Sequence, residues 1–414
     1  MSQKVNQTQE PGNGIAGFQL SKLMQRGTRD LRLLSLAVFC QSLGFGAFSA
    51  AYTNFIVEVV HINAFHLGIV EGLRETPGFL IVLVAALTMS IAEPILAGIA
   101  LLVMAVGMTA YCKVGTVPAL VLWSVVWSIG LHAWMTLQPS MTLNLAKAGH
   151  KGKRMGQMSA ISGVGTVFGM IIVFGAKGLI HFTGIFIVAG VALATGALAV
   201  SMISRNIGHA EKPRLVFKRK YSLYYVLTFL EGCRKQIFMT FAIFLLVKDH
   251  HVKTQVVAVL MIINNIVNAS TFTWVGKLID RHGERKVLAV CYLAAIPIFL
   301  GYAYTPAVFL LYILYCLDNL FYIGSIGSTT YLQKIAEPQD VMPSLAMGVS
   351  MNHAAAVAVP LIGGALWVSF GHTVTFYGGA VIAAISVLSV MGMKTRTRQL
   401  PESDAVLLEE DLTR

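Results

Sequence analysis

The stretch Gly276–Lys286, GKLIDRHGERK, decides how the rest of the chain is read. It separates an apolar run ending near Val275 from another beginning at Val287, and it packs Asp280, Arg281, Glu284, Arg285 and Lys286 into one short connector. A loop this charged between two such runs belongs at a membrane surface, where water solvates what hydrocarbon would not.

The composition agrees with that setting. Hydrophobic residues make up 56% of the 414, charged residues 12%, and the mean hydropathy is +0.70, a mixture that no water-soluble core absorbs. Polar and Gly/Pro interruptions cut the chain into twelve apolar runs, six within residues 31–204 and six within 222–393. About 20 residues rising 1.5 Å each cross the roughly 30 Å of a bilayer's hydrocarbon, so each run is long enough to span it. The implied fold is an all-α membrane protein of twelve transmembrane helices in two six-helix bundles, flanked by tails at 1–30 and 394–414 and joined by a basic linker at 205–221. A shift of about 190 positions lays FCQSLGFGAF at Phe39 onto FLEGCRKQIF at Phe229, and Met155-Gly156 onto Met347-Gly348. The bundles therefore read as pseudo-symmetric repeats.

A net charge of +12 raises the question of nucleic acid, and the positions of the basic residues answer it. With both termini placed inside, 24 of the 31 lysines and arginines fall in the tails and in alternate loops on one side. That asymmetry is membrane orientation, with both termini cytoplasmic in an inner (plasma) membrane; lipid is the partner and nucleic acid is not. The first thirty residues lack the apolar core of a signal peptide, in keeping with an amino terminus that stays inside. Cys40, Cys112, Cys233, Cys291 and Cys316 all lie in apolar runs without paired spacing and read as packing residues.

The signature stretch resembles the G-x-x-x-D-R-x-G-R-[RK] motif of the major facilitator superfamily, transporters built from two six-helix halves. Gly276, Asp280, Arg281, Gly283, Arg285 and Lys286 fit, whereas Glu284 stands where the family has a basic residue. The equivalent loop of the first half, ALTMSIAEPIL from Ala86, carries Ser90 and Ile91 in place of Asp280 and Arg281. The resemblance covers residues 31–393 and implies secondary transport by alternating access. It also implies a conformational latch, in which Asp280 meets the start of the fifth helix beside Arg154 when the cytoplasmic side closes. The fifth helix opens RMGQMSAISGVGTVFG, whose Gly156, Gly163, Gly165 and Gly169 suit close helix approach. It is similar to the glycine-rich motif of proton-coupled exporters in the superfamily, except that Met170 replaces the proline after the central glycine. The eleventh helix carries a comparable VPLIGGALW segment around Pro360.

An ionisable residue deep in a helix is the strongest functional signal such a sequence offers, because its charge must be paired or hydrated. Helix 2 carries Glu71, Arg74 and Glu75, with Glu71 and Arg74 spaced to pair. Helix 7 carries Glu231 and Arg234 near mid-depth, with Lys235 ranked behind Arg234. On the repeat, Arg74 and Glu75 meet Asn264 and Asn265, and Glu231 meets Gln41. Asp318 and His353 extend the polar lining, and the resemblance seats Asp318 on the cavity wall. Each has a structural reading as well: a salt bridge for Asp318, interhelical hydrogen bonds for the asparagines, a hydrogen-bonded histidine for His353 and His132. Four carboxyls, Glu71, Glu75, Glu231 and Asp318, outnumber the three cations by one, which suits a proton-coupled cycle with Glu231 as leading carrier.

No phosphate-cradling loop, nucleophile with its base, cofactor motif or ligand cluster with metal spacing is present, so an enzyme is not expected and neither cofactor nor metal is called for. The expected function is proton-coupled export of a small organic solute, anionic or zwitterionic because arginines hold carboxylates and phosphates. A monomer is expected. Proton-coupled uptake, or a non-transporting receptor on the same fold, are the alternatives.

Overall fold

The computed structural model describes residues 13–78, 91–147, 149–176, 178–205 and 217–393, and side chains from residue 28 onward except that of Ile323. The end of the expected second crossing, the first-half counterpart Ala86–Ser90, most of the basic linker and the carboxy-terminal tail lie outside the described residues.

Among the described residues, twelve helical segments follow one another. They are α1 (Asn13–Glu58), α2 (from Ala64–Arg74), α3 (Glu93–Ala110), α4 (Val117–Leu145), α5 (Lys151–Ala176), α6 (Phe182–Ser201), α7 (222–248), α8 (Thr254–His282), α9 (Glu284–Tyr304), α10 (Val308–Ile335), α11 (Pro338–Phe370) and α12 (His372–Met391). Among the described residues, ten helices are long and apolar enough to cross a membrane. The other two are the polar ones. α2 is described only to residue 78, and α7 carries Glu231, Arg234 and Lys235 and is interrupted by a π-helical turn over Ile237–Ala242, an irregularity common at functional sites.

Local chemistry sets the helix ends. Asn63 caps α2 by accepting the His66 N–H at 2.9 Å, and proline stands in the first turn of α3, α4 and α11, where the missing N–H is no loss. Gly283, the second glycine of the signature, ends α8 and starts α9 at φ +82°, ψ 155°, a conformation essentially closed to residues with a Cβ. That geometry accounts for glycine at this place in the motif.

The first six helices pack α1 against α5 and α6, and α3 against α4 and α6, around a ring cluster of Phe48, Phe55, Tyr111 and Phe186. The second six pack α9 against α12 and α11 against α7, with Phe241, Trp367, Phe376 and Tyr302 stacked at one end. The two groups meet through α2 on α11 and α5 on α8.

The closest approach is between α2 and α11. A Cβ on Gly68 would lie 2.2 Å from the Pro360 carbonyl oxygen, and one on Gly364 would lie 2.4 Å from that of Ala64. On the same end, Asn54 Nδ2 of α1 donates to the Val252 carbonyl at 2.8 Å. Toward the opposite end, which carries the signature loop, nothing packs on Gly152, Gly156, Gly276 or Gly283. The halves are therefore closely joined at the end away from the signature loop. The α5 glycines divide accordingly: Gly165 and Gly169 seat α5 on the Phe39 and Leu43 carbonyls of α1, within the first half. The glycines that join the halves are those of α2 and α11.

Candidate functional site

The middle of α2 is shaped by Pro77. Proline has no N–H to give the Leu73 carbonyl and disfavours helical geometry in the residue before it. The regular helix stops at Arg74 accordingly, and side chains take up the freed carbonyls: Thr76 Oγ1 donates to Leu73 O at 2.7 Å, and Ser128 Oγ of α4 donates to Arg74 O. Such replacement is what makes a broken helix tolerable in lipid. The break presents Arg74 and Glu75 about 15 Å from the start of α2, at half the depth of a bilayer.

Arg74 is held there from every side. It forms an ion pair with Glu71, approaches Glu75 Oε1 at 3.8 Å, and lies over the rings of Trp127 and Tyr52 at 5.3 and 5.9 Å. Tyr52 in turn donates to Glu71 Oε1 at 2.9 Å.

Glu75 faces two histidines from distant parts of the chain. Its Oε2 lies 3.3 Å from His353 Nδ1 of α11 and 3.8 Å from His132 Nε2 of α4, with the imidazole centroids 5.1 Å apart. Gly78 makes the space: a Cβ there would fall 2.6 Å from His353 Cε1 and 3.0 Å from His132 Nε2. Lys235, half-buried on α7, stands within electrostatic reach of Glu75 and Arg74 and forms no ion pair among the described residues. Residues from both halves thus converge at mid-depth: Glu71, Arg74, Glu75 and His132 from the first, Lys235 and His353 from the second.

Arg234 and Glu231 turn elsewhere. Arg234, 3% exposed, pairs with Asp318 of α10 at 2.9 Å and also donates to the Asp318 carbonyl at 3.1 Å. Its Nε and Asp318 Oδ2 are buried without partners. Glu231 Oε1 accepts hydroxyls from Tyr292 of α9 and Ser328 of α10, each at 2.6 Å, and forms no ion pair. Both groups lie inside the second six helices, so Lys235 rather than Arg234 is the cation offered across the interface. The asparagines form their own network. Asn319 Nδ2 donates to Asn268 Oδ1 at 2.8 Å and to the Asn264 carbonyl, while Asn265 Nδ2 bonds Met261 O on its own helix and reaches Met170 Sδ of α5 at 3.8 Å. A cavity of about 240 Å³, lined in part by Gln41, Trp134, Gln138 and Ser162, opens between α1, α4 and α5 of the first half.

At the basic end Asp280 is exposed and makes no ion pair among the described residues, and Arg154 donates to Gln157 on its own helix. The start of α11 is tied to the segment before α7 instead: Asp340 accepts from Lys218 and from the Tyr221 hydroxyl, and Lys220, paired with Glu337 and Asp340, has its amine held above the ordinary range by the Glu337 carboxylate. Glu284, the departure from the family pattern, pairs with Lys334 at 2.7 Å, which gives its acidic side chain a place.

Sequence reasoning missed Pro77, Gly78, Ser128, Tyr292 and Ser328. Thr76-Pro77 inside a run was a readable break signal; the hydroxyls carried none, being ordinary residues whose partners lie on other helices.

Residues 224–411 match the sequence model of the Major Facilitator Superfamily. A crystal structure of a mutant of the nucleoside transporter NupG superposes with a TM-score of 0.75 at 15% identity, over 88% of this chain and 99% of that one. That sequence match covers the second half of the chain, and the likeness of fold extends over both halves. The facilitator fold recurs in a bacterial homologue of the human lysosomal transporter Spinster, in an inward-facing and occupied conformation (TM-score 0.69, 14% identity, 87% of this chain and 95% of that one). It recurs again in a POT family transporter in complex with a thioalcohol-conjugated peptide (0.68, 11%, 88% and 95%). Comparison with curated protein sequences finds no match. At these identities the solved structures establish the fold of this chain, and its chemistry rests on its own residues.

Proposed function

We propose that this chain is a secondary transporter that exports a small organic solute bearing a carboxylate or phosphate across the inner membrane, driven by protons, through alternating access. The observation that carries the reading is the meeting of charges from both halves at mid-depth, with Glu75 against His353 and the unpaired Lys235 beside them. A half-buried cation that forms no ion pair among the described residues is a place for an anionic group. The positive-inside asymmetry supports a cytoplasmic position for the signature-loop end and both termini. Export is supported by the α5 glycine run, and a polar solute is in keeping with the nucleoside and peptide named for the structural relatives.

Glu231 serves as the proton carrier. It is held by two hydroxyls and no ion pair, so its neutral and charged forms both find partners: as an acid it still bonds Tyr292 and Ser328, and as an anion it accepts from both. Asp280 is the latch. When the basic end closes it reaches the start of α5 near Arg154, and a carboxylate at a helix amino terminus gains about 0.3–1 kcal/mol, enough to bias two states without fixing either. The exposed Asp280 seen here belongs to the open state of that cycle.

A thermal-shift screen of the purified protein against metabolites and drugs finds the solute, since a ligand stabilises the state it binds. Flux of that ligand is then followed in proteoliposomes under an imposed pH gradient, with Glu231→Gln alongside. The proposal expects gradient-dependent flux whose pH dependence is lost in the variant. Unaltered pH dependence removes Glu231 from the role; binding without flux replaces the transporter by a receptor. In a deletion strain, toxin hypersensitivity supports export, and failure to grow on a sole nutrient overturns it in favour of uptake.

A further inference from the structure

Glu75, His132 and His353 sit 57 and 221 positions apart, so no spacing rule finds them, yet their ligand-bearing atoms all lie within 4.8 Å of one another. Two atoms bound tetrahedrally to one ion at 2.0–2.1 Å are roughly 3.3–3.4 Å apart. The Glu75–His353 distance of 3.3 Å already meets that figure and the Glu75–His132 distance of 3.8 Å misses it by a few tenths of an ångström.

The hydrogen bonds around His132 sharpen the point. Its Nδ1 lies 2.9 Å from the Ser128 carbonyl, which can only accept, and 3.0 Å from Ser128 Oγ, whose own hydrogen is committed to the Arg74 carbonyl. Nδ1 therefore carries the hydrogen, and the neutral ring turns the bare lone pair of Nε2 toward the Glu75 carboxylate. In that neutral form two electron-pair donors face each other across 3.8 Å, and the contact turns attractive when Nε2 takes up a proton or a metal ion lies between them. A carbonyl that fixes the tautomer of a histidine with its other nitrogen free is also the usual outer support of a metal-binding imidazole. Gly78 adds no side chain there, where a Cβ would lie 2.7 Å from His353 Nδ1 and 3.0 Å from His132 Nε2. The nearby charges balance before any ion enters, Glu71 and Glu75 against Arg74 and Lys235.

We propose that Glu75, His132 and His353 bind a divalent transition-metal ion of the zinc class, two ligands from the first half and one from the second, so that the ion clasps the halves in the conformation described here. Imidazole nitrogens with one carboxylate select this class over calcium or magnesium, which take oxygen. Three protein ligands leave a fourth position for water or a solute donor. The clasp does not depend on which solute the protein carries, or on whether it carries one.

The test uses the full-length protein in detergent. Zn²⁺ is titrated in competition with a chromophoric chelator, and Co²⁺ is followed by the visible absorption of its tetrahedral complexes. The wild type is expected to bind one Zn²⁺ per chain and to show the tetrahedral Co²⁺ bands. His132→Ala and His353→Ala each lower Zn²⁺ affinity by more than about 100-fold, and His282→Ala, at an exposed histidine of the basic end, leaves it unchanged. Absence of stoichiometric binding or of the Co²⁺ bands in the wild type overturns the proposal without recourse to any variant. Binding that survives His132→Ala and His353→Ala, or that His282→Ala removes, overturns it as well.

Discussion

Replacing Gly68 by alanine should unfasten the joined end of the molecule. A Cβ at this position meets the backbone oxygen of Pro360 at 2.2 Å and its carbon at 3.0 Å. Neither atom can rotate away, so α2 and α11 must part. Overpacking of this kind costs about 1–3 kcal/mol, and an equilibrium between two access states shifts by roughly 5- to 150-fold for that energy. The sign is informative, because alanine favours an isolated helix over glycine by about 0.8–1.0 kcal/mol. A purely local effect would firm up α2, whereas the clash opens the interface. Spin labels at Phe65 and Phe370, both exposed near that end, report the separation by pulsed dipolar spectroscopy after the five native cysteines are replaced. The expected result for Gly68→Ala is a second, longer-distance population that becomes dominant. A distribution identical to the parent's would refute the idea that this contact holds the closed end.

Other perturbations test the interior. Asp318→Asn leaves Arg234 buried without its counter-charge and should destabilise by about 3–5 kcal/mol, while Arg234→Met with Asp318→Leu should recover most of the loss; thermal unfolding of the two variants decides it, and equal midpoints for single variant and parent would contradict the pairing. Pro77→Ala restores an N–H to α2 and removes a break worth about 3 kcal/mol in a helix interior, so the variant should unfold at higher temperature but transport more slowly, since Arg74 and Glu75 leave their positions. Faster unfolding with unchanged transport would mean that the break is not what places them.

The fold was legible because its signals are local. Charged loops recur between apolar runs, basic residues crowd alternate loops, and the Asp280–Lys286 connector carries its own geometry, down to the positive φ that only Gly283 accepts. The Glu71–Arg74 pair was legible for the same reason, being one turn apart on one helix. Partnerships between helices were not. Glu231 and Arg234 are also one turn apart, yet they separate, Glu231 to Tyr292 and Ser328 and Arg234 to Asp318, because which neighbour each side chain meets is set by the packing of α7 against α9 and α10, and spacing along α7 does not record it. The histidines are the sharpest case. His132 and His353 read as solitary structural residues, and only the packing of α2 on both α4 and α11 gives them a common neighbour in Glu75.

The central claim is that one mid-depth site between the halves opens to one face at a time. Lys235→Cys in a cysteine-free background places a reporter at that site, probed by a membrane-impermeant thiol reagent added to either face of oriented vesicles. The account predicts labelling from the basic face in the parent, and labelling from the opposite face with protection from the basic face once Gly68→Ala is added. Labelling from both faces at once in either background, or from neither, would contradict it.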